Sequence, residues 1–217
     1  MEKRKTNKGL LWLIIAIAVI AVAAVVVGIL YFMPPKKEAE PAAEPSDCEQ
    51  TAQRFIEAYL TKDRLTQFDL FFYDARTQWE DNILKDHKTE EAFCDVVQQQ
   101  ADEQGIQVTI NNFGDYLQEF HRQWKVDAQE VYGDYTVKVT ATAVEAYSEE
   151  KSTQYVASAV GAQGSEYFAD VSPDTVKQIY AVKVNGVIEG SLKTHNENYT
   201  VFLINYEGQW RVIGHTT

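Results

Sequence analysis

An α+β fold is what this sequence predicts: helices packed on one face of a curved antiparallel sheet, behind an N-terminal transmembrane helix. Three observations carry the prediction. Residues 10–32 form an apolar run without a charge. Helical periodicity then fills the stretch from Asp47 to Ala101. After Gly105 the pattern shifts to period-two alternation, which closes the chain in a hairpin. Helices first and strands later, with one late helix, is the order of an α+β domain.

Composition narrows the function classes. The chain has 217 residues, 45% hydrophobic and 24% charged, which suits a packed core rather than disorder. The formal net charge of −12 is unevenly spread. Residues 1–37 hold six basic residues and one acid, whereas residues 38–217 hold 14 basic and 31 acidic residues, a net −17. So acidic a body argues against nucleic acid as a partner, because that affinity comes from neutralising phosphates. Two cysteines exclude a dense disulfide scaffold and any four-cysteine zinc site.

The elements follow in order. Residues 1–9 are a basic tail carrying Lys3, Arg4, Lys5 and Lys8. Leu10–Phe32 is 23 residues of almost wholly apolar sequence within the predicted span 10–33. A helix of that length covers about 35 Å, enough to cross a bilayer core. Trp12 at one end and Tyr31-Phe32 at the other suit the two interfaces, and the preceding cations place the N-terminus in the cytoplasm. The run is too long for a signal-peptide core, and Tyr31-Phe32-Met33-Pro34-Pro35 is a poor cleavage context, so the anchor is read as uncleaved. Residues 34–45, with four prolines, form an extended linker. The exported domain is 46–217.

Within that domain, Ser46 and Glu49 form a capping box. Ala52, Phe55, Ile56, Tyr59 and Leu60 then lie on one face of a helix over 47–62. Residues 64–86 predict one or two shorter helices carrying Phe68, Phe71, Phe72, Trp79, Ile83 and Leu84. Thr89 caps a helix whose apolar face is Phe93, Val96, Val97 and Ala101, ended by Gly105. Ile106–Ile110 alternates as a strand. Residues 111–122 are ambiguous, with Tyr116, Leu117 and Phe120 suiting a short helix. Trp124, Val126 and Ala128 alternate, turn at Gly133-Asp134, and alternate again from Tyr135 to Ala143, which reads as a hairpin. Residues 148–168 predict a helix or loop insertion. Ser172-Pro173-Asp174 opens a helix with Val176, Ile179 and Tyr180 inward. Tyr199–Tyr206, Glu207-Gly208 and Gln209–Ile213 form the closing hairpin.

From Ala52 to Tyr59 the helix reads A-x-x-F-I-E-A-Y, the middle turn VYGDYTVKVT, and the end VFLINYEGQWRVI with Trp210 after the turn. With these features the exported part resembles the nuclear-transport-factor-like (cystatin-like cone) superfamily. Domains of that plan occur on single N-terminal anchors in Gram-positive envelope proteins of unknown role, and in bitopic components of secretion and conjugation machines. The resemblance implies a cone fold. It does not imply one activity, since the superfamily holds isomerases, dehydratases and binding modules.

The search for chemistry is mostly negative. No dinucleotide fingerprint, P-loop, metalloprotease motif or calcium loop is present. His87, His121, His195 and His215 fall at no i, i+3 or i+4 spacing, so neither metal nor cofactor is expected. Asn198-Tyr199-Thr200 is read as a chance match to a glycosylation acceptor. Cone-fold enzymes pair an Asp or His base with a Tyr donor, for which Asp115, Tyr116, His121, Tyr135 and Tyr59 are the candidates. The plainer reading makes Tyr59 and Tyr135 core residues, and Asp115 and His121 surface ones. Tyr59, Trp79, Trp124, Tyr135 and Trp210, with the Phe68–Phe72 cluster, are the aromatic candidates for pocket or core. Cys48 and Cys94 both lie in the exported part, each on or beside the apolar face of a helix, and are expected to form a disulfide. The function expected is that of a single-pass, membrane-anchored extracytoplasmic protein presenting a non-catalytic interaction or ligand-binding domain at the cell envelope. A bitopic scaffold of an envelope machine and a pocket enzyme are the alternatives. Ligand, protein partner and oligomeric state stay open.

Overall fold

The computed structural model describes residues 45–168, 176 and 178–217. The tail 1–9, the anchor 10–33, all but the last residue of the linker, the Ser46 side chain of the capping box and the Ser172-Pro173-Asp174 helix start lie outside the described residues. Among the described residues no helix is long and apolar enough to cross a membrane.

Among the described residues, six helices pack against a four-stranded antiparallel sheet. They are α1 (Pro45–Leu60), α2 (Arg64–Leu70), α3 (Ala75–His87), α4 (Glu90–Glu103), α5 (Phe113–Tyr132) and α6 (Glu149–Gln163). The strands are β1 (Tyr135–Ala146), β2 (Ile179–Gly190), β3 (Thr194–Tyr206) and β4 (Gln209–Thr216), in the order β1-β2-β3-β4. Side-chain oxygens of Asp63, Asp74, Thr89, Asn112 and Ser148 accept backbone N–H bonds and start α2 to α6.

The two faces of the sheet hold separate cores. On one, Ala52, Phe55 and Ile56 of α1 bury against Val182, Val184, Val201, Leu203 and Val212. On the other, Tyr155, Val156 and Ala159 of α6 join Phe72, Phe168, Phe202, Ile204 and Ile213. With both faces covered there, β3 reads as four consecutive buried apolar residues, Val201–Ile204, rather than as an alternation. A third cluster, outside the sheet, gathers Phe93, Cys94, Ile110 and Phe113.

Several sequence expectations hold. The closing hairpin turns at Glu207 (φ 52°) and Gly208 (φ 81°), the double left-handed geometry a two-residue turn requires. Residues 64–86 make two helices, and 149–163 make one.

Others are corrected. Trp124, Val126 and Ala128 are not a strand. They belong to α5, where Phe113, Leu117 and Ala128 are buried and Val126 is exposed. The middle hairpin is therefore a helix followed by a strand, and Asn112 capping the Asp115 N–H marks its start. Residues 106–110 form no strand; the Gln98 side chain takes up their backbone groups, donating to Val108 O at 3.0 Å and accepting from Ile110 N at 3.0 Å. Val96 is exposed, so the buried face of α4 is Phe93, Cys94 and Ala101. Ile179 and Tyr180 open β2 instead of lying in a helix.

The Cys48–Cys94 bridge does not form, and both thiols are free and buried. α1 presses Cys48 onto the sheet core, while α4 packs on α3 and α5 and turns Cys94 into the third cluster. Burial pushes the Cys48 thiol up to about 12.

Candidate functional site

A cleft of about 350 Å³ opens between the α2–α3 connection and the β3–β4 hairpin. Phe68, Phe71, Phe72 and Tyr73 form one wall, and Tyr206, Gln209 and Arg211 the other, with Asp69 and Glu207 completing the lining. Each wall has a local cause. Phe71 bridges to Val212 and the Phe72 N–H donates to Val212 O at 2.8 Å, so the connection is laid along the edge of β4. Alternation along β3 and β4 then places Tyr206, Gln209 and Arg211 on the face that Phe72 covers. Phe72 meets Tyr206 edge-to-face at 5.2 Å, and the Arg211 guanidinium donates to Asp69 O across the cleft. The lining mixes five aromatic side chains with four polar ones, Asp69, Glu207, Gln209 and Arg211.

The Phe68–Phe72 cluster thus lines a cleft, as one reading of the sequence allowed. The five single aromatics do not. Trp79 packs on Phe113 and Phe68, at 5.4 and 5.8 Å. Trp124 and Tyr135 pack on each other at 5.9 Å, and Trp210 meets Tyr180 edge-on at 5.0 Å. Tyr59 sits between Tyr199 and His215, at 5.8 and 4.8 Å. Sequence reasoning missed Tyr206, Gln209 and Arg211, although a two-residue turn sets 206 opposite 209 on one face and Arg211 follows two residues on.

Two of the proposed acid–base candidates, Tyr59 and His121, lie at the α1–α2 turn, while Tyr116 packs on Trp79 and Phe93 in the third cluster. Asp115 instead accepts from the Asn111 N–H, and Tyr135 packs on Trp124. His121 Nδ1 lies 2.8 Å from Thr61 O, and Lys62 Nζ sits 4.9 Å over the Tyr59 ring. Arg64, at the start of α2, donates through Nη1 to Gln67 Oε1 at 2.9 Å. Burial works against its charge, and the phenols of Tyr59 and Tyr116 are the groups that favour it.

His215 joins this group through a slip in β4. Ile213 lies in the α6-side core, and a Cβ at Gly214 would meet Tyr155 Oη on that same side at 3.0 Å. The alternation therefore shifts by one residue, and His215 turns to the opposite face against Phe55 and Tyr59. Burial, followed by repulsion from Arg64 and Lys62, lowers its pKa from 6.5 to about 4. A group harder to protonate folded than unfolded contributes stability above about pH 6.5 and loses it as the pH falls toward 4. That loss is about 3 kcal/mol in all. His215→Gln should remove that share of acid sensitivity, read as a smaller difference between urea midpoints at neutral pH and near the lowered pKa.

Among the described residues no group of three His, Cys, Asp or Glu is placed to hold a metal ion. No family model matches the chain, and neither a curated protein nor a solved structure does.

Proposed function

We propose that this protein is a single-pass membrane protein whose α+β domain, of cone-fold type, stands outside the cell as a non-catalytic interaction or ligand-binding module. The aromatic-lined cleft between the α2–α3 connection and the β3–β4 hairpin is the observation that carries the binding role. Its polar side chains are Asp69, Glu207, Gln209 and Arg211, and the arginine is already bonded to the Asp69 carbonyl and to Gln209. The apolar run at 10–32 and the cations before it support the anchor and its orientation.

The test has two arms in intact cells. A thiol-reactive, membrane-impermeant label should reach Glu207→Cys without permeabilisation and Lys5→Cys only after it. The reverse pattern overturns the topology. A benzophenone amino acid at Gln209 should then give a defined adduct that Arg211→Ala removes. Equal adducts from Thr140, an exposed residue on β1, would overturn the cleft as the contact surface.

A further inference from the structure

We propose that the aromatic-lined cleft takes an alkylammonium group, either the quaternary head of a small ligand or the side chain of a lysine on a peptide. The inference rests on the reading of that cleft as the binding surface, and adds the chemistry of its occupant.

The first argument is the rings. Phe68, Phe71, Phe72, Tyr73 and Tyr206 all reach the cleft. Phe68, Phe71 and Tyr206 are only half-buried, so folding leaves aromatic surface wet there. Phe72 and Tyr206 meet at 64° with centroids 5.2 Å apart, and Phe71 and Tyr73 at 44° and 5.1 Å. Rings stacked flat would cover one another's faces, whereas rings set at such angles leave them partly bare. A ring face is the negative side of the aromatic quadrupole, and it attracts a cation within about 6 Å of the ring centroid. Several rings around one hollow add such attractions.

The second argument is charge. Asp69 comes from α2 and Glu207 from the β3–β4 turn, and both are exposed at the cleft. Among the described residues neither makes an ion pair. The guanidinium of Arg211 already donates to Asp69 O and to Gln209 Oε1. Two carboxylates against one guanidinium leave the lining with one net negative charge. An anion would meet that excess, and the fork that could hold it is engaged. A neutral apolar ligand would draw the carboxylates out of water without compensation. A cation suits both the rings and the carboxylates. The net −17 of residues 38–217 also draws cations toward the domain. A volume of about 350 Å³ is at the small end for a ligand site, which fits a compact head group or a single side chain.

The full-length protein in uncharged maltoside micelles tests this by saturation-transfer NMR, with the signal from protein-free micelles subtracted. The probes are choline and an N-acetyl-lysine methylamide, each titrated at constant ionic strength. The control is the neutral alcohol that has choline's shape with carbon in place of the charged nitrogen. At least one cation should bind saturably, and about tenfold tighter than the alcohol. Tyr206→Leu removes a ring but keeps an apolar side chain, and should weaken that binding about tenfold, while Tyr206→Phe keeps it. Binding of choline alone assigns the cleft to a small quaternary ligand, and binding of the lysine probe alone to a peptide; either supports the inference. No saturable binding of either cation, equal binding of the alcohol, or the same affinity in Tyr206→Leu as in the parent overturns it. If Tyr206→Leu does not fold, Glu207→Gln takes its place. Loss of that exposed carboxylate should weaken the cations and leave the alcohol unchanged, and an unchanged cation affinity overturns the inference. The cross-link from Gln209 separates this result from the broader reading. A defined adduct without cation binding overturns the ammonium assignment alone, and loss of both overturns the binding role of the cleft as well.

Discussion

Phe55→Ala should destabilise the domain by about 3–5 kcal/mol, the range for removing a fully enclosed aromatic ring. Phe55 is 0% exposed and lies where α1, the sheet and the α2–α3 connection meet. Its ring packs edge-to-face on Phe71 at 5.2 Å and lies against His215 at the same distance. α1 reaches the sheet through the side chains around it, so the cavity cannot close by moving one element alone. Urea denaturation should show a lower midpoint with an unchanged slope. Phe55→Leu, which keeps most of the apolar surface, should lose distinctly less. Equal and small losses in both would mean that α1 contributes little to the core. Because Phe55 also supports His215, Phe55→Ala should shift the ring signal of that histidine, a local readout separate from global stability.

Gly190→Ala should cost about 3 kcal/mol, the upper end of ordinary overpacking. A Cβ there would lie 2.3 Å from Tyr132 O, 2.7 Å from Tyr132 Cβ and 2.8 Å from Lys193 O. The two carbonyls are fixed, since Leu192 N donates to Tyr132 O at 2.9 Å and Gly190 N to Lys193 O at 3.1 Å. The clash can be relieved only by parting the end of α5 from the β2–β3 turn. Gly161→Ala is the matched control. It lies in α6 with nothing within 4 Å of the added carbon, and should stabilise by up to about 1 kcal/mol. Thermal melts of the two variants should move in opposite directions. A neutral Gly190→Ala would show that the α5–β1 connection yields freely.

How much could be read in advance depended on the range of the forces involved. α1, α4 and the closing hairpin were legible because their signals are local: apolar side chains at helical spacing, a threonine cap at Thr89, and a turn whose two central residues accept positive φ. α5 was misread because Trp124, Val126 and Ala128 alternate by coincidence over a short window. The burial that distinguishes Leu117 and Ala128 from Val126 appears only when the whole 20-residue helix is laid on its neighbours. β2 was missed for the opposite reason: covered on both faces, its apolar residues run together at Ala181-Val182 and lose the period of two. The aromatic cleft was half visible, since the Phe68–Phe72 cluster was noted but not its opposite wall. The meeting of Lys62 and His215 on the Tyr59 ring was less visible still, because nothing in their spacing joins them.

The sequence by itself determined the class of the domain, its net charge, the apolar run at 10–32 and the bounds of α1 and α4 to within a few residues. These follow from composition, period and capping, which act over a few residues. The tertiary structure alone decided three things. It separated Cys48 from Cys94 by turning α1 to the sheet and α4 away from it. It paired Ile106–Ile110 with the side chain of Gln98 rather than with a strand. And by the one-residue slip at Gly214 it carried His215 across the sheet to Phe55 and Tyr59. Each depends on which surface a side chain meets. That is fixed when distant segments compete for the same apolar area, and no local pattern records the outcome.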